Sequence, residues 1–341
     1  MSITQIFCNV AEMYEDLEIA GAMTEAKLLA KIQAASQVLA MQVGRFLPVI
    51  ETRVFGAPRV NTRLFVPPLL SVTTLVNDDV TITSGEYLLQ PTAKHWDDGP
   101  YSCLEVDPDA TLISAWSTDA DGISLLGKYG LFDKVIDTGA TLGAAIATAG
   151  AVTMRVSNGA LVSPGMLVKI ASEWIYVKAT GTPVTAVTTL SADWSASDDV
   201  FTAANGSLLN VGEIIRCGVE QAKVLDINGN SVYVKRGWNN TLQAAHLSAA
   251  NVDVYRNFTI ERGANGSTAA AQSDAAVIYQ QAVPADVNFL ARKIAGRMLL
   301  DATGGFKSRG GDDQAGTTGY VYIMPKELDE IIDRYHIARA S

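Results

Sequence analysis

The chain has 341 residues, of which 48% are hydrophobic, and its formal net charge is -10. This length can bury a large core and allows two domains, or one domain carrying a large insertion. The acidic charge argues against a protein that grips nucleic acid by its phosphates, because such binding requires clustered Lys and Arg. No apolar run approaches the roughly 18 residues of a membrane span, and the first ten residues lack a secretion signal. The sequence therefore predicts a protein made in the cytoplasm, with no membrane partner.

The acidic residues and the cysteines are unevenly placed along the chain. Residues 1–139 hold 18 Asp and Glu against 9 Lys and Arg, whereas residues 140–283 hold 10 against 9 and residues 284–341 hold 8 against 8. Cys8, Cys103 and Cys217 are odd in number and far apart, which favours reduced, buried thiols over a disulfide framework. The first segment therefore carries nearly all the excess negative charge.

A helix is the first element that the pattern predicts. Thr24 can cap it, and its apolar residues recur at three- and four-residue steps, as one buried face requires: Leu28, Ile32, Ala35, Leu39, Val43 and Phe46. After Pro48 the sequence changes to short strand-like runs separated by turn residues. We expect Pro67 and Pro68 to end one of these strands before the next begins.

The middle of the chain, residues 140–283, loses helical periodicity and is rich in Ala, Thr, Gly and Val, which indicates an inserted all-β domain. Pro284 is well placed to begin a second helix, with Val287, Leu290, Ala291, Ile294 and Met298 on one face. The predicted fold class is α+β: a small helical core with a short-stranded β region, interrupted by a large all-β insertion of repeated units. The predicted segments are an acidic first core part at 1–139, the insertion at 140–283, a core helix at 284–303 and an extended C-terminal arm at 304–341.

The insertion contains an internal repeat. A run from Val234 that includes Arg236-Gly237 and Asn239 recurs 26 residues later, with Arg262-Gly263 and Asn265 at the same spacing and two Ala-Ala pairs in register. A weaker relation links residues 157–165 to residues 204–212. Matches at the same spacing in both copies predict that one supersecondary unit has been duplicated. The insertion should therefore contain two small related β-units. Each Arg could grip a ligand, but we favour the structural interpretation, in which it ties its own turn to a neighbouring carbonyl or carboxylate.

The C-terminal arm combines a Gly-rich tether at 304–319 with a short strand and an amphipathic helix. We expect the arm to dock on a neighbouring subunit or another protein, through an edge strand and a helix face. The alternative is that it folds back on its own body. The predicted partner-docking residues are Tyr320, Tyr322, Ile323, Leu328, Ile331, Ile332 and Tyr335.

No pattern for catalysis, metal or cofactor binding emerges. His95, His246 and His336 lie in separate segments without further ligands at a metal-site spacing, and residues 119–122 suit a plain turn better than a calcium loop. Residues 304–308 resemble a phosphate-binding loop that Phe306 interrupts, and no nucleophile elbow is present. The sequence therefore predicts a protein that is not an enzyme, with no catalytic residue, no metal and no cofactor.

Four stretches resemble the head-tail connector, or adaptor, family of tailed phages, whose members are also called head completion proteins. They are Val-Gly-Arg-Phe at 43–46, the Pro-bracketed strands at 64–75 and 86–89, Gly-Lys-Tyr-Gly at 127–130, and Val-Pro-Ala-Asp-Val at 283–287 with the terminal helix at 325–335. The resemblance covers residues 20–135 and 280–337. The size of the insertion departs from the family pattern.

The resemblance implies a structural virion protein of the neck, whose copies form a homo-oligomeric ring, expected to be a dodecamer, below the portal. The implied partners are the chain itself, the portal protein and a tail or neck protein below, while genomic DNA passes through the channel without specific binding. An acidic wall would let DNA slide. The alternative function is a β-rich tail or fibre module that binds cell-surface glycans, with Trp174, Trp194 and Trp238 as its candidate aromatic residues.

Overall fold

The computed structural model describes residues 4–17, 24–44, 46–92, 100–303 and Tyr335. Within these residues the chain forms three α-helices and eighteen strands, and the strands make three antiparallel sheets of six strands each. The helices are α1 (Val10–Leu17), α2 (Glu25–Val43) and α3 (Ala285–Thr303). None of these helices has the length and hydropathy that crossing a bilayer requires.

The predicted α+β fold with a small helical core is wrong, because the described residues are mainly β. Each sheet buries an apolar cluster along its own inner face, so the strands are the main source of core. The helices form one layer, which packs against the ends and faces of the two C-terminal sheets. The strand-like runs after Pro48 form a complete six-stranded sheet with its own buried cluster, rather than a short-stranded region of a helical core.

The first sheet consists of β1 (Val49–Phe55), β2 (Arg63–Asn77), β3 (Val80–Ile82), β4 (Tyr87–Gln90), β5 (Tyr101–Val106) and β6 (Ile123–Tyr129). Its order is β1-β6-β2-β5-β4, and β3 pairs with β2. Alternate residues of β6, such as Ile123, Leu125 and Tyr129, are buried on one face, as the period of two in a half-buried strand requires.

Pro67 and Pro68 do not end a strand, contrary to the prediction. β2 continues through them for 15 residues. They lie where its pairing with β5 changes register, between Phe65 and Leu69, and where its pairing with β6 begins. A proline cannot donate a ladder hydrogen bond, so an irregularity between two partner strands is a position that tolerates it.

The remaining strands are, in chain order, β7 (Val135–Thr141), β8 (Thr153–Arg155), β9 (Leu167–Ile170), β10 (Glu173–Thr180), β11 (Val184–Thr189), β12 (Val200–Thr202), β13 (Ile214–Cys217), β14 (Glu220–Asn228), β15 (Ser231–Lys235), β16 (Asn251–Val254), β17 (Asn257–Glu261) and β18 (Val277–Gln281). They form two sheets, ordered β7-β18-β9-β10-β17-β8 and β11-β16-β13-β14-β15-β12. We call them unit 1 and unit 2.

The two units have the same topology, and unit 2 is inserted in unit 1. β8 of unit 1 begins at residue 153, before its counterpart β12 of unit 2, which begins at residue 200. β17 of unit 1 begins at residue 257, after its counterpart β15 of unit 2, which begins at residue 231. In unit 2 the strands β14 and β15 are joined by the tight turn Gly229-Asn230, and in unit 1 the whole of unit 2 stands between β10 and β17. The predicted duplication is confirmed, and it is nested. The predicted boundary at 139/140 falls inside β7.

Two of the three predicted helices are confirmed and share one core, while the third, in the C-terminal arm, lies outside the described residues except for Tyr335. Leu28, Ile32 and Leu39 of α2 and Leu290 and Ala291 of α3 lie in a single buried cluster. Thr24 stands at the N-cap position, but its side chain makes no capping hydrogen bond. The helical layer also buries aromatic and apolar residues of the units, namely Leu167, Trp174, Tyr176, Trp238 and Ala264.

Candidate functional site

Of the predicted docking residues, Tyr320, Tyr322, Ile323, Leu328, Ile331 and Ile332 lie outside the described residues. Tyr335 is described and is buried in the core of its own chain. Its ring packs edge-on against Phe46 with a centroid distance of 5.2 Å, and its hydroxyl donates to Asp286 Oδ1 at 3.0 Å. The structure therefore places this tyrosine against the helices.

A buried glutamate and arginine form the centre of unit 1. Arg262 donates through Nε and Nη2 to the two carboxylate oxygens of Glu173, both at 2.6 Å. Gln272 Nε2 and the backbone N–H of Gly263 donate to the same carboxylate at 3.1 Å, and the backbone N–H of Ala270 donates to it at 3.2 Å. Burial opposes ionisation, but these hydrogen bonds outweigh it and hold the pKa of Glu173 below its usual range.

Unit 2 repeats this arrangement with one change. Arg236 donates to Glu220 Oε1 at 2.8 Å and to Oε2 at 2.6 Å, and both side chains are completely buried. His246 occupies the position of Gln272 and donates through Nε2 to Glu220 at 2.9 Å. As in unit 1, burial works against ionisation and the arginine hydrogen bonds prevail, so the pKa of Glu220 is lowered.

The structural interpretation of both arginines is confirmed. Besides its glutamate, Arg236 binds the carbonyls of Ser195, Asp198 and Ala244, and Arg262 binds those of Thr148 and Ala270. Each guanidinium thus joins three chain segments of its own unit. Bidentate pairs of this kind fix geometry because both partners are planar forks. Neither arginine is available to grip a ligand.

A third glutamate fixes unit 2 on unit 1. Glu213 is fully buried and accepts from Arg256 Nε at 2.6 Å and from Arg256 Nη2 at 2.8 Å. Its Oε1 also accepts from Gly159 N of unit 1 at 2.9 Å. In unit 2 the equivalent Gly206 N donates to the side chain of Asn230 instead. In unit 1, where unit 2 interrupts the β10–β17 hairpin, the Glu213–Arg256 ion pair therefore takes the place that Asn230 has in the uninterrupted β14–β15 hairpin of unit 2.

The repeated Arg-Gly-x-Asn turns contact the N-terminal segment. Asn265 accepts from Thr4 N at 2.7 Å and donates to Thr4 O at 3.1 Å, while Asn239 accepts from the Tyr14 hydroxyl at 2.9 Å. Both asparagines adopt positive φ, and the glycine before each turn does so too. Tyr14 also packs on Trp238 at 5.2 Å. The turns are docking elements within the chain.

The outward face of each sheet differs between the units. In unit 1 this face is covered by α2: Leu167, Trp174 and Tyr176 are 3%, 3% and 6% exposed, and Gln33 Nε2 donates to the Tyr176 hydroxyl at 3.0 Å. In unit 2 the equivalents of these three residues are Ile214, Gln221 and Lys223, all partly exposed.

The open face of unit 2 carries a pair of directly opposed lysines. Lys223 faces Lys235 across the β14–β15 ladder, at the register position where unit 1 pairs Tyr176 with Glu261. Beside them Leu225 is 52% exposed and Tyr233 is 41% exposed. We call these four residues the lysine face. Sequence inspection missed it, because the two lysines come together only through the strand register.

Other candidates from the sequence are structural. Trp174, Trp194 and Trp238 are buried, and the three cysteines are free and buried. Residues 119–122 form the expected turn, in which Gly122 N donates to Asp119 O. In the described part of the chain, His, Cys, Asp and Glu nowhere form a group of three that could hold a metal ion.

Comparison with known proteins found no match among family models, curated proteins or solved structures.

Proposed function

We propose that this chain is a structural virion protein, a head-tail connector adaptor whose copies form a ring below the portal. In this role it extends the DNA channel and offers a docking surface to the tail component below. The chemistry described above is consistent with a mechanical task, since the buried ionic groups are committed to holding chain segments together.

One observation carries the proposal: the four stretches that resemble the adaptor family converge in space. Phe46, at the end of the first stretch, accepts backbone hydrogen bonds from Leu131 and Phe132, which follow the third stretch. Gly130 N donates to Pro68 O of the second stretch at 3.0 Å. Phe46 also shares a buried cluster with Val287 of the fourth stretch. The four stretches thus meet where the first sheet joins the helical cluster, which supports the single connected unit that the resemblance implies.

The alternative of a glycan-binding module gains nothing from the tryptophans that suggested it. Sugar recognition uses exposed aromatic rings beside polar groups. Trp174, Trp194 and Trp238 are 3%, 2% and 7% exposed. The Trp194 ring is also occupied, since the Arg236 guanidinium lies over it at 4.0 Å.

Electron microscopy of the purified chain, alone and mixed with the portal protein of the same phage, tests the proposal. We expect closed rings with a central opening that stack on portal rings, and no stacking on a portal from an unrelated phage. A chain that stays monomeric and leaves portal rings unchanged would refute the proposed function.

A further inference from the structure

We propose that the lysine face of unit 2 binds a second copy of this chain, at the acidic end of that copy's first sheet. The inference rests on the proposed function, because a closed ring needs two different, complementary surfaces on each subunit. It goes further by naming the two surfaces and the charges that join them.

The first argument comes from the duplication. Unit 1 and unit 2 have the same strand order, and the outward face of unit 1 is a packing surface, covered by α2. The same face of unit 2 begins at an existing interface, since Ile214 and Trp238 pack with the helical layer. Beyond these residues the face continues uncovered to Leu225 and Tyr233. The open part is therefore a continuation of a surface that this architecture uses for packing.

The second argument is electrostatic. Like charges directly opposed across an antiparallel pair are destabilising, so Lys223 facing Lys235 has a cost within the single subunit. The Lys223 amino group lies 5.3 Å over the Trp238 ring. Asp226 lies opposite Tyr233 on the same face, and Asp199 lies beside β15, where its carbonyl accepts from Val234 N, yet within the described ranges neither carboxylate forms an ion pair with Lys223 or Lys235. Carboxylates from outside the subunit would remove the repulsion.

The third argument identifies the source of those carboxylates. The acidic excess of this chain lies in residues 1–139. In the first sheet the β2–β3 turn and the loop before β6 meet, since Asp78 N donates to Gly122 O at 2.9 Å. Exposed Asp79, Asp119 and Asp121 thereby share one end of the sheet. This acidic end lies on a different domain from the lysine face, as a head-to-tail contact requires.

The test is sedimentation of the full chain with charge-reversed variants. K223E/K235E carries the reversed lysine face, and D79K/D119K/D121K carries the reversed acidic end. K27E/R155E changes the net charge by the same amount as K223E/K235E, at exposed positions of α2 and unit 1, and serves as the matched control. Circular dichroism verifies that each variant is folded.

We expect each reversed variant to raise the concentration for half-assembly at least tenfold, the control to stay within threefold, and the contact to weaken at high salt. A mixture of the two reversed variants should assemble again with the variants alternating, because each surface of one variant then meets a surface of opposite charge on the other. If K223E/K235E assembles like the wild type, or the mixture stays monomeric, the proposed interface is wrong while a ring-forming function stands. A wild-type chain that assembles neither alone nor on portal rings would refute the proposed function itself.

Discussion

Replacing Glu220 by Gln should destabilise the protein strongly. The Glu220 and Arg236 side chains are both completely buried, and Nη2 lies 2.6 Å from Oε2. The substitution keeps the shape of the side chain but removes its negative charge, which leaves the guanidinium with carbonyl oxygens alone. Breaking a buried pair in this way costs about 3–5 kcal/mol. That is a large fraction of the roughly 5–15 kcal/mol that keeps a typical protein folded.

Urea unfolding followed by tryptophan fluorescence measures the effect. Trp194 reports on the site, because its ring lies 4.0 Å from the Arg236 guanidinium and 5.4 Å from the His246 ring. The control is E105Q, since Glu105 pairs with Arg63 at the surface, where the Arg63 side chain is 54% exposed. Exposed pairs contribute about 0–1 kcal/mol. A loss for E220Q no larger than that of E105Q would refute the reasoning.

Three further predictions concern the same units. H246Q should change the free energy of unfolding by less than about 1 kcal/mol, because Gln272 fills this position in unit 1, and a larger loss in urea unfolding would contradict the equivalence. Replacing residues 182–256 by Gly-Asn should leave a soluble protein that circular dichroism shows to be folded, because Gly-Asn is the turn that closes the equivalent β14–β15 hairpin of unit 2. An unfolded product would show that unit 1 depends on its insertion. Acid should unfold the chain through Glu173 and Glu220, because the pKa of each carboxyl is lower in the folded protein than in the unfolded chain. The stability that this difference adds is complete above the ordinary carboxyl pKa, about 4.3, and is lost as the pH falls through the pKa values of the folded protein. Thermal melting between pH 7 and pH 3 checks this, and E173Q should flatten the loss.

Periodicity predicted the helices and repetition predicted the duplicated units, because both signals lie within short windows of sequence. The predicted fold class was wrong because the pairing of strands is not visible within such short windows. Strand pairing joins distant segments, as when β1 pairs with β6, so short runs such as β1 give no sign that they complete a sheet. The nesting of unit 2 in unit 1 was also hidden in the sequence. The distance along the chain from each strand of unit 1 to its counterpart in unit 2 is not constant, because unit 2 lies between the two halves of unit 1.

The candidate site was partly accessible to sequence reasoning. The Arg-Gly-x-Asn repeats pointed to Arg236 and Arg262, but their partners Glu173 and Glu220 stand in strands far away along the chain. Only the register of the sheets brings each glutamate to its arginine. The same holds for Lys223 and Lys235, whose apposition depends on the β14–β15 ladder.

The nested insertion also determines how mechanical load enters the molecule. Any pull on unit 2 reaches unit 1 through two adjacent strands, β10 and β17, at the end of their hairpin, where Gly181 N donates to Asn257 O. Force applied there would unzip the ladder one hydrogen bond at a time, which resists less than shearing all of them together. The Glu213–Arg256 ion pair and the contact between Tyr14 and Trp238 act in parallel with that ladder. These two contacts therefore reduce the force that acts on the β10–β17 hydrogen bonds.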